Sequence, residues 1–408
     1  MNAVPFHLLS YIAYFLAFFS AIFFLFNALQ SFKVRNEDAN RRVDKKKVSA
    51  LIPVYKEEPE VFERCVRSIA NEGIDFVVFG DGNVEPYRTI TKKYGGRFYY
   101  SKVRKGKRGA IGRGIAYIST EFVLLIDSDT EIKKGSIEKM LRKFDESTGG
   151  VGCTIKVRKS KKIVYYCSEF FMRLQEIPAR VTQKYGSQLV INGQCGMYRT
   201  ELIKPFLQSK EFENLRFMGI STNLCEDRQR TSYIMQMGYK AKIAYDAEAI
   251  TEPQKSMVGF FKQALRWTRG GYFYLFKEIF DGSYFKKGLI YEVEIIYLFF
   301  FPLLLFLLNA ASFYNIVHLN IFSYFKHRMF FYLFATTHLF LPPRLILSFW
   351  IRALDLIGLF GIAMFLASRI KSERKKVLLS GLLVLGILFV VSIYGFFTFF
   401  KQKDWLTR

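Results

Sequence analysis

The chain has 408 residues and a formal net charge of +25, and 51% of its residues are hydrophobic. This is more apolar than an ordinary soluble domain. The excess lies toward the two ends, where residues 4–32, 295–317 and 377–400 contain no Asp, Glu, Lys or Arg. Each stretch exceeds the roughly 20 residues that a helix needs to cross a bilayer. The composition therefore argues against a purely soluble protein.

The first apolar stretch predicts an uncleaved membrane anchor, because no Lys or Arg precedes residue 33 and the stretch is too long for a signal peptide. Basic residues follow it over 33–47 and precede the last stretch over 371–376. Such residues mark the cytoplasmic side of a membrane. We therefore expect an integral protein of the plasma membrane with a cytoplasmic central segment. The charge alone would also fit a nucleic-acid-binding membrane protein, but no nucleic-acid motif accompanies it, so we expect no nucleic acid partner.

Short β-rich runs alternate with helical segments after the first stretch. This alternation predicts a mostly parallel sheet covered by helices. Ligands of such sheets bind beyond the carboxyl ends of the strands. Here those ends are the polar segments 53–55, 81–83 and 127–129. The predicted strands are 48–54, 75–80, 96–100 and 122–126, and the predicted helices are 57–72 and 107–119.

Two later segments, 163–183 and 256–280, mix aromatic and basic residues at helical spacing. This pattern fits helices in the membrane interface and also ordinary core helices. The cysteines are irregularly spaced and odd in number, which indicates reduced thiols. They form no CxxC pair, so we expect no structural zinc site.

Asp127 and Asp129 directly follow the buried run 122–126. Hard divalent cations such as Mn²⁺ and Mg²⁺ favour carboxylate oxygens and often bind phosphates at the same time. The segment 105–114, "KGKRGAIGRG", is a basic, glycine-rich loop suited to phosphate oxygens. It is neither a P-loop nor a dinucleotide fingerprint. The two features together predict a site for a cation and a nucleotide diphosphate.

Four motifs occur in a fixed order: "DSDT" (127–130), "GMYR" (196–199), "EDR" (226–228) and "QxxRW" (263–267). This set resembles the membrane-integrated family 2 glycosyltransferases, and most of all the hyaluronan synthases. The resemblance implies an α/β GT-A-like cytoplasmic domain, with a Rossmann-like mixed sheet, inserted between transmembrane helices. The implied organisation is an N-terminal transmembrane helix (1–32), the glycosyltransferase domain (33–255), interfacial amphipathic helices with the QxxRW motif (256–288) and a helical transmembrane or re-entrant region (289–408).

The resemblance also implies a UDP-sugar donor. Tyr55 and Asp81 match positions that hold the uracil and ribose, and Lys107 matches a basic position near the diphosphate. Asp127 and Asp129 match the motif that binds Mn²⁺ or Mg²⁺, with Asp129 as the direct ligand. An alternative for Asp81 is a simple turn residue, because Asp-Gly is a common turn.

For the acceptor side, Asp227 matches the catalytic base. Gln263, Arg266 and Trp267 match the motif that braces the diphosphate and lines the acceptor site, and Gly196–Met197 matches a segment beside the acceptor pocket. The alternatives are an ordinary helix start for the EDR motif and an interfacial anchor for Trp267. The histidines lack clustered partners and fit structural roles.

These implications define the expected function: an inverting UDP-sugar hexosyltransferase, embedded in membrane lipids, that extends a polysaccharide and exports it. One alternative adds a single sugar to a lipid acceptor of the ceramide or polyprenyl-phosphate type, and another is a chitin- or cellulose-like synthase. A transporter or receptor whose domain only binds nucleotide is a rival from another class. The chain departs from the family pattern at "NGQCGMYR" (192–199) and "WTRGG" (267–271), which affects sugar identity more than reaction type.

Charged residues also interrupt the apolar run between 329 and 368. The charge rule favours a re-entrant piece around 330–343 followed by one full span. Charges inside lipid are costly, so Arg344, Arg352 and Asp355 are candidates to face a polymer channel.

Overall fold

The computed structural model describes residues 6–34, 38, 44–318 and 343–402. These residues form two compact units. One comprises the described parts of Met1–Lys33 and Ile296–Arg374, and the other those of Val34–Ile295 and Lys375–Arg408. The second unit contains the motif residues.

An eight-stranded mixed sheet is the centre of the second unit, with the strand order β3-β2-β1-β4-β7-β6-β10-β5. Strands β1 to β4 run parallel, β7 is antiparallel to both β4 and β6, β10 is parallel to β6, and β5 is antiparallel to β10. A separate two-stranded sheet pairs β8 with β9. The strands are β1 (Val48–Val54), β2 (Asp75–Asp81), β3 (Arg97–Ser101), β4 (Phe122–Ile126), β5 (Thr130–Ile132), β6 (Thr148–Val157), β7 (Cys195–Arg199), β8 (Leu215–Phe217), β9 (Ile220–Thr222) and β10 (Lys240–Thr251).

The sequence-based prediction of the sheet is confirmed. The runs 48–54 and 122–126 form β1 and β4 over those same residues, because strands covered on both faces read as continuous apolar runs. In the register, Leu51 of β1 lies opposite Val77 of β2 and Leu125 of β4. The parallel pairing brings the carboxyl ends of β1, β2 and β4 to one edge of the sheet.

Helices cover the sheet and flank it along the chain. The predicted helix 57–72 is α2, which begins at Pro59, a favourable first helical position. The predicted helix 107–119 is α4 followed by a 3₁₀ turn at Ile115–Tyr117. The helices are α1 (Phe6–Phe32), α2 (Pro59–Ala70), α3 (Tyr87–Lys93), α4 (Gly106–Gly114), α5 (Ser136–Leu141), α6 (Ile163–Lys184), α7 (Thr200–Leu207), α8 (Lys210–Glu213), α9 (Glu226–Gln236), α10 (Met257–Phe280), α11 (Leu289–His318), Pro343–Arg369 and the last helix, Arg374–Phe397.

Three helical segments in the described part of the chain are long and apolar enough to cross a membrane: Tyr14–Phe32, Leu289–Ala310 and Arg374–Phe397. Each overlaps one of the three uncharged stretches of the sequence, and the last two contain a few charged residues before that stretch begins. The predicted re-entrant piece at 330–343 lies almost wholly outside the described residues. After it, Pro343–Arg369 is one continuous helix. The side chains of Arg344, Arg352 and Asp355 also lie outside the described part, so their channel-facing role stays a prediction.

The two helices that mix aromatic and basic residues, α6 and α10, pack on each other and on the last helix. Phe171 of α6 stacks on Trp267 of α10, with ring centroids 5.5 Å apart. Ala264 and Leu265 of α10 pack with Val391 of the last helix. Much of α6 is buried. These contacts fit the core-helix interpretation, and a location in the membrane interface stays a prediction.

Candidate active site

The two aspartates of the DSD motif lie where β4 ends. The backbone N–H of Asp127 donates to the carbonyl of Gln194 at 3.0 Å, which fixes the chain direction after the strand. The buried Cys65 thiol donates to the Asp127 carbonyl at 3.4 Å. Burial raises the pKa of this thiol, and Asp129 and Asp127 raise it further. The charges of both carboxylates therefore reach the Cys65 thiol, which shows that Asp127 and Asp129 lie near one another at the end of β4.

Lys107 joins the DSD motif to the EDR motif. Its ammonium lies 2.6 Å from Asp127 Oδ1 and 2.7 Å from Glu226 Oε1. Burial opposes the charged ammonium, but the two carboxylates outweigh it and raise the pKa of Lys107. For Glu226, burial raises the pKa while Lys107 and Arg230 lower it, and the net pKa is lowered. Lys107 and Glu226 are therefore held as ions.

Asp227 lies in the first turn of α9, next to this ion pair. The helix begins after Cys225, which adopts a left-handed conformation with φ +51°. The amide of Gly193 donates to Asp227 Oδ2 at 3.1 Å. Burial raises the pKa of Asp227 and the charge of Glu226 raises it further, although Arg230 and Lys107 oppose both effects. A carboxylate with a raised pKa is a stronger base than an exposed aspartate.

Arg230 is a second cation of the site, more deeply buried than Lys107, and it was not predicted from the sequence. Its side chain is among the largest fully buried ones in the described residues. Its charge interacts with Tyr198, Glu226, Asp227 and Asp127. Two of its nitrogens, Nε and Nη1, make no hydrogen bond to any described residue. Arg230 thus offsets the repulsion between carboxylates that meet here from β4 and α9.

Tyr55 and Asp81 lie at the ends of neighbouring strands and share a partner, Arg104. The guanidinium of Arg104 lies 3.9 Å from the centroid of the Tyr55 ring and 4.0 Å from Asp81 Oδ2. Asp81 is buried, and its two oxygens accept the backbone N–H groups of Lys105 and Gly106, each at 2.8 Å. Asp81 therefore holds the start of α4 beside the tyrosine, and the predicted turn at Asp-Gly is present as well, with Gly82 at φ +87°.

The QxxRW motif of α10 packs against the residue before the EDR motif. A Cβ added to Gly270 would lie 2.2 Å from the Cys225 sulfur, so only glycine allows this approach. Burial raises the pKa of Cys225 to about 12, Asp227 and Glu226 raise it too, and Arg228 and Arg266 oppose them. Arg266 therefore lies within electrostatic range of the start of α9. Gln263 and Trp267 are half-buried on the same helix.

Gly196 and Met197 lie in β7, where they pair with Leu125 and Leu124 of β4. Met197 is fully buried, so its side chain supports the sheet beneath the site. A Cβ on Gly196 would lie 2.7 Å from Ile191 and 2.8 Å from the Tyr198 hydroxyl, which explains the glycine by close packing.

The structure thus brings Lys107, Asp127, Asp227 and Arg266 to one region of the second unit, with Tyr55 and Asp81 at adjacent strand ends. The roles assigned to these residues stay predictions. Besides Arg230, the sequence reasoning missed Gly193 and Arg104. Gly193 carried a usable signal, because it lies in the short segment between α6 and β7, close to the GMYR motif.

A mixed sheet of this order, with carboxylates and basic groups at its carboxyl edge, is a GT-A architecture. Over 86% of this chain and 97% of the other, the structure is similar to a mannosyltransferase from Pyrobaculum calidifontis in complex with GDP-Man and Mn²⁺, with a TM-score of 0.56 and 15% sequence identity. At that identity the likeness establishes the fold. Residues 49–206 match the model of glycosyl transferase family 2. This part of the chain therefore matches a family 2 glycosyltransferase domain.

Curated relatives point the same way. An N-acetylglucosaminyltransferase of Azorhizobium caulinodans is 28% identical over 242 residues, which are 55% of this chain and 60% of that protein. Hyaluronan synthase 3 of Xenopus laevis is 24% identical over 290 residues, 60% of this chain and 51% of that protein. Human hyaluronan synthase 2 is 25% identical over 233 residues, 55% of this chain and 40% of that protein. The matches span about 51–60% of the length of the first two relatives, and they confirm the resemblance to hyaluronan synthases.

Proposed function

We propose that the protein is a membrane-embedded, inverting hexosyltransferase that uses UDP-sugars to extend a polysaccharide and to export it. The observation that carries this proposal is the bridge from Lys107 to Asp127 and Glu226, at 2.6 and 2.7 Å. It joins the motif expected to meet the donor diphosphate to the helix that carries the expected base. A domain that only bound nucleotide would have no need of a base beside the diphosphate site.

Asp227 acts as the base in this proposal. It accepts the proton of the acceptor hydroxyl while that oxygen attacks the anomeric carbon and the bond to the diphosphate breaks. A single displacement inverts the anomeric centre. The Gly193 amide donates to Asp227 Oδ2 at 3.1 Å and the Arg228 amide donates to Oδ1 at 2.8 Å, so both oxygens are oriented, and each keeps a lone pair that can accept the proton of the hydroxyl. The raised pKa of Asp227 makes it a stronger base than an ordinary aspartate.

The diphosphate of a UDP-sugar carries two negative charges and gains one more as its bond to the sugar breaks, and basic groups near it lower the barrier. Lys107 and Arg266 are the groups proposed for this role. Tyr55 is proposed to stack on the uracil, and Asp81 to hold the loop that meets the ribose and diphosphate. Trp267 is proposed to present an aromatic face to the apolar side of the acceptor sugar.

Asp127 and Asp129 are proposed to hold Mn²⁺ or Mg²⁺. The pair fits such an ion, because two carboxylates supply hard oxygen ligands and substrate phosphates complete the shell. Within the described residues, no group of three or more His, Cys, Asp or Glu side chains could hold a metal, so this site depends on the substrate. When bound, the cation neutralises charge on the leaving diphosphate. Support also comes from the structurally similar mannosyltransferase, whose structure is a complex with GDP-Man and Mn²⁺.

The three candidate spans support a membrane location. The basic residues beside the first and last spans support a cytoplasmic catalytic domain in the plasma membrane. The growing polysaccharide is the proposed acceptor, with membrane lipids around the spans. The curated relatives are named for N-acetylglucosamine transfer or hyaluronan synthesis, which favours UDP-N-acetylglucosamine as one donor.

The test uses purified protein in proteoliposomes with Mn²⁺ or Mg²⁺. Labelled UDP-N-acetylglucosamine and UDP-glucuronate are supplied singly and together, and the product is sized. We expect a long polymer that forms only with both donors, is cut by hyaluronidase and collects on the side opposite the catalytic domain. A polymer that forms from one donor alone would show that the product is a chitin- or cellulose-like glycan and not hyaluronan.

Other outcomes contradict more of the proposal. A labelled lipid without polymer would show single transfer to a ceramide- or polyprenyl-phosphate-type acceptor. If protein that still binds UDP incorporates sugar from no UDP-sugar, the assignment of transferase activity would be wrong. A nucleotide-binding transporter or receptor would then be favoured.

A further inference from the structure

A buried polar cluster lies behind the EDR motif, between α9, α10 and the first turn of α11. Its members are Arg228, Glu278, Lys287 and Tyr291. None of the four residues is more than 9% exposed, and Glu278 and Tyr291 are exposed by only 2% and 1%. Buried charged groups are costly unless they are paired and hydrogen-bonded.

Glu278 is the centre of the cluster. Its Oε2 accepts from Arg228 at 2.9 Å and from the Tyr291 hydroxyl at 3.0 Å, and its Oε1 accepts from Lys287 at 2.6 Å. Burial raises the pKa of Glu278, but Arg228 and Lys287 lower it to about 2. The cluster therefore holds one anion between two cations.

Both cations also reach beyond Glu278. Arg228 donates to the carbonyl of Gly271 at 3.1 Å, and Lys287 donates to Ser232 Oγ at 3.0 Å. Arg228 and Ser232 lie one turn apart on α9. The cluster thus fixes α9 at two successive turns, and it ties the first of them to α10 one turn beyond Trp267.

Asp227 directly precedes Arg228, so the first of these anchors sets the position of the expected base. We propose that the cluster is a positioning device: it holds Asp227 in register with the Arg266–Trp267 segment of α10, so that the base meets the acceptor hydroxyl. Tyr291 brings the first turn of α11, which begins the candidate span Leu289–Ala310, into the same device. The inference rests on the proposed function, because it needs Asp227 to act as the base.

A positioning device leaves a kinetic signature that a purely structural cluster does not. None of the four side chains is assigned to the donor, so the KM for the UDP-sugar should stay unchanged when one is altered. A base out of line with the acceptor slows transfer, and small misplacements are costly. Water does not depend on alignment by the acceptor site, so a larger share of the donor is then hydrolysed. The ratio of free sugar to transferred sugar should rise.

The main variant is Lys287→Met, which keeps the length of the side chain. Arg228 and Glu278 then remain as an ion pair with no net charge. The matched control is Lys277→Met on α10. Lys277 forms a similarly short pair with Asp281 at 2.8 Å, but that pair is partly exposed, at 23% and 36%, against 5% and 2% for Lys287 and Glu278. Tyr291→Phe is a milder second variant, because it removes one hydroxyl and no charge. All are measured as full-length protein in nanodiscs, with UDP release, free sugar and transferred sugar quantified.

For Lys287→Met we expect the kcat of transfer to fall roughly 10-fold, a modest value for a misplaced group. The donor KM should stay within about twofold, since uniform binding is untouched, and the hydrolysis ratio should rise. Tyr291→Phe should show the same signature with a smaller change, and Lys277→Met should match wild type. An unchanged kcat and ratio in either cluster variant would overturn the inference. So would a loss of kcat that matches a loss of folded protein. Wild-type protein that releases no UDP from any donor would instead overturn the proposed function.

Discussion

Replacing Lys107 by Met is the most informative single change in the site. The ammonium of Lys107 lies between Asp127 and Glu226, at 2.6 and 2.7 Å. Met keeps the volume of the side chain and removes the charge. The two carboxylates then face one another without the cation that stabilised both of them. Removing one partner of a buried ion pair leaves an uncompensated charge, and this costs more than the pair contributed.

The size of the effect follows from burial. Breaking a fully buried pair costs about 3–5 kcal/mol. The side chain of Lys107 is 23% exposed, that of Glu226 10% and that of Asp127 27%, so water reaches part of the cluster. We therefore expect a loss of about 2–3 kcal/mol in the free energy of unfolding. At about 2–4 °C for each kcal/mol, the melting temperature should fall by about 5–10 °C.

The assay is thermal unfolding of the detergent-solubilised protein, read by intrinsic fluorescence. Lys105→Met is the matched control, since Lys105 pairs with Glu213 at a similar 2.8 Å but the two side chains are 43% and 35% exposed. An exposed pair contributes about 0–1 kcal/mol, so the melting temperature of the control should change little. Adding Glu226→Gln to Lys107→Met should recover part of the loss, because one of the orphaned carboxylates is neutralised. Equal melting temperatures for Lys107→Met and its control would show that the Lys107 bridge does not stabilise the fold.

Three further predictions concern the chemistry. Asp129→Asn should weaken Mn²⁺-dependent binding of UDP about 10-fold or more, as loss of a charged ligand does; isothermal titration with and without Mn²⁺ checks this, and equal affinities would exclude Asp129 as a ligand. Because burial and Glu226 raise the pKa of Asp227, kcat/KM should fall with decreasing pH at a value above the usual pKa of about 4 for aspartate. Glu226→Gln should move that acid limb to lower pH, and an unmoved limb would contradict the assignment. Gly193→Ala places a Cβ 3.1 Å from Asp227 Oδ2, so kcat should fall about 10-fold with a nearly unchanged donor KM; wild-type kcat would show that this amide does not orient the base.

The sequence predicted the sheet well and the interior of the site poorly, for a physical reason. Buried parallel strands are local patterns, so 48–54 and 122–126 could be identified from their apolar runs alone. The helix α9 reads as a polar segment, typical of a solvent-exposed surface, yet Arg228 and Arg230 are buried in it. Their partners come from β4, β7, α10 and α11, far along the chain. No local pattern indicates that contact.

The same contrast applies to the motifs. The order of the EDR and QxxRW motifs suggested one site, and the close approach of Gly270 to Cys225 brings α9 and α10 together. The bridge from Lys107 to Glu226 was not predicted, because Lys107 was assigned only to the diphosphate. The sequence indicated which polar residues lie at the strand ends, but it did not indicate how their charges pair.

The most direct test of the central claim compares wild-type protein with Asp227→Asn in nanodiscs. Both are supplied with the UDP-sugars that the wild type consumes, and UDP release and UDP affinity are measured side by side. Asn keeps the shape of Asp and its one carbonyl oxygen can still accept from Gly193 or Arg228, though not from both, and it cannot take a proton. We predict that turnover falls about 10²–10⁴-fold, the usual contribution of a general base, while UDP affinity stays within about threefold, because ground-state binding is untouched. Turnover equal to that of the wild type would contradict the assignment of Asp227 as the base.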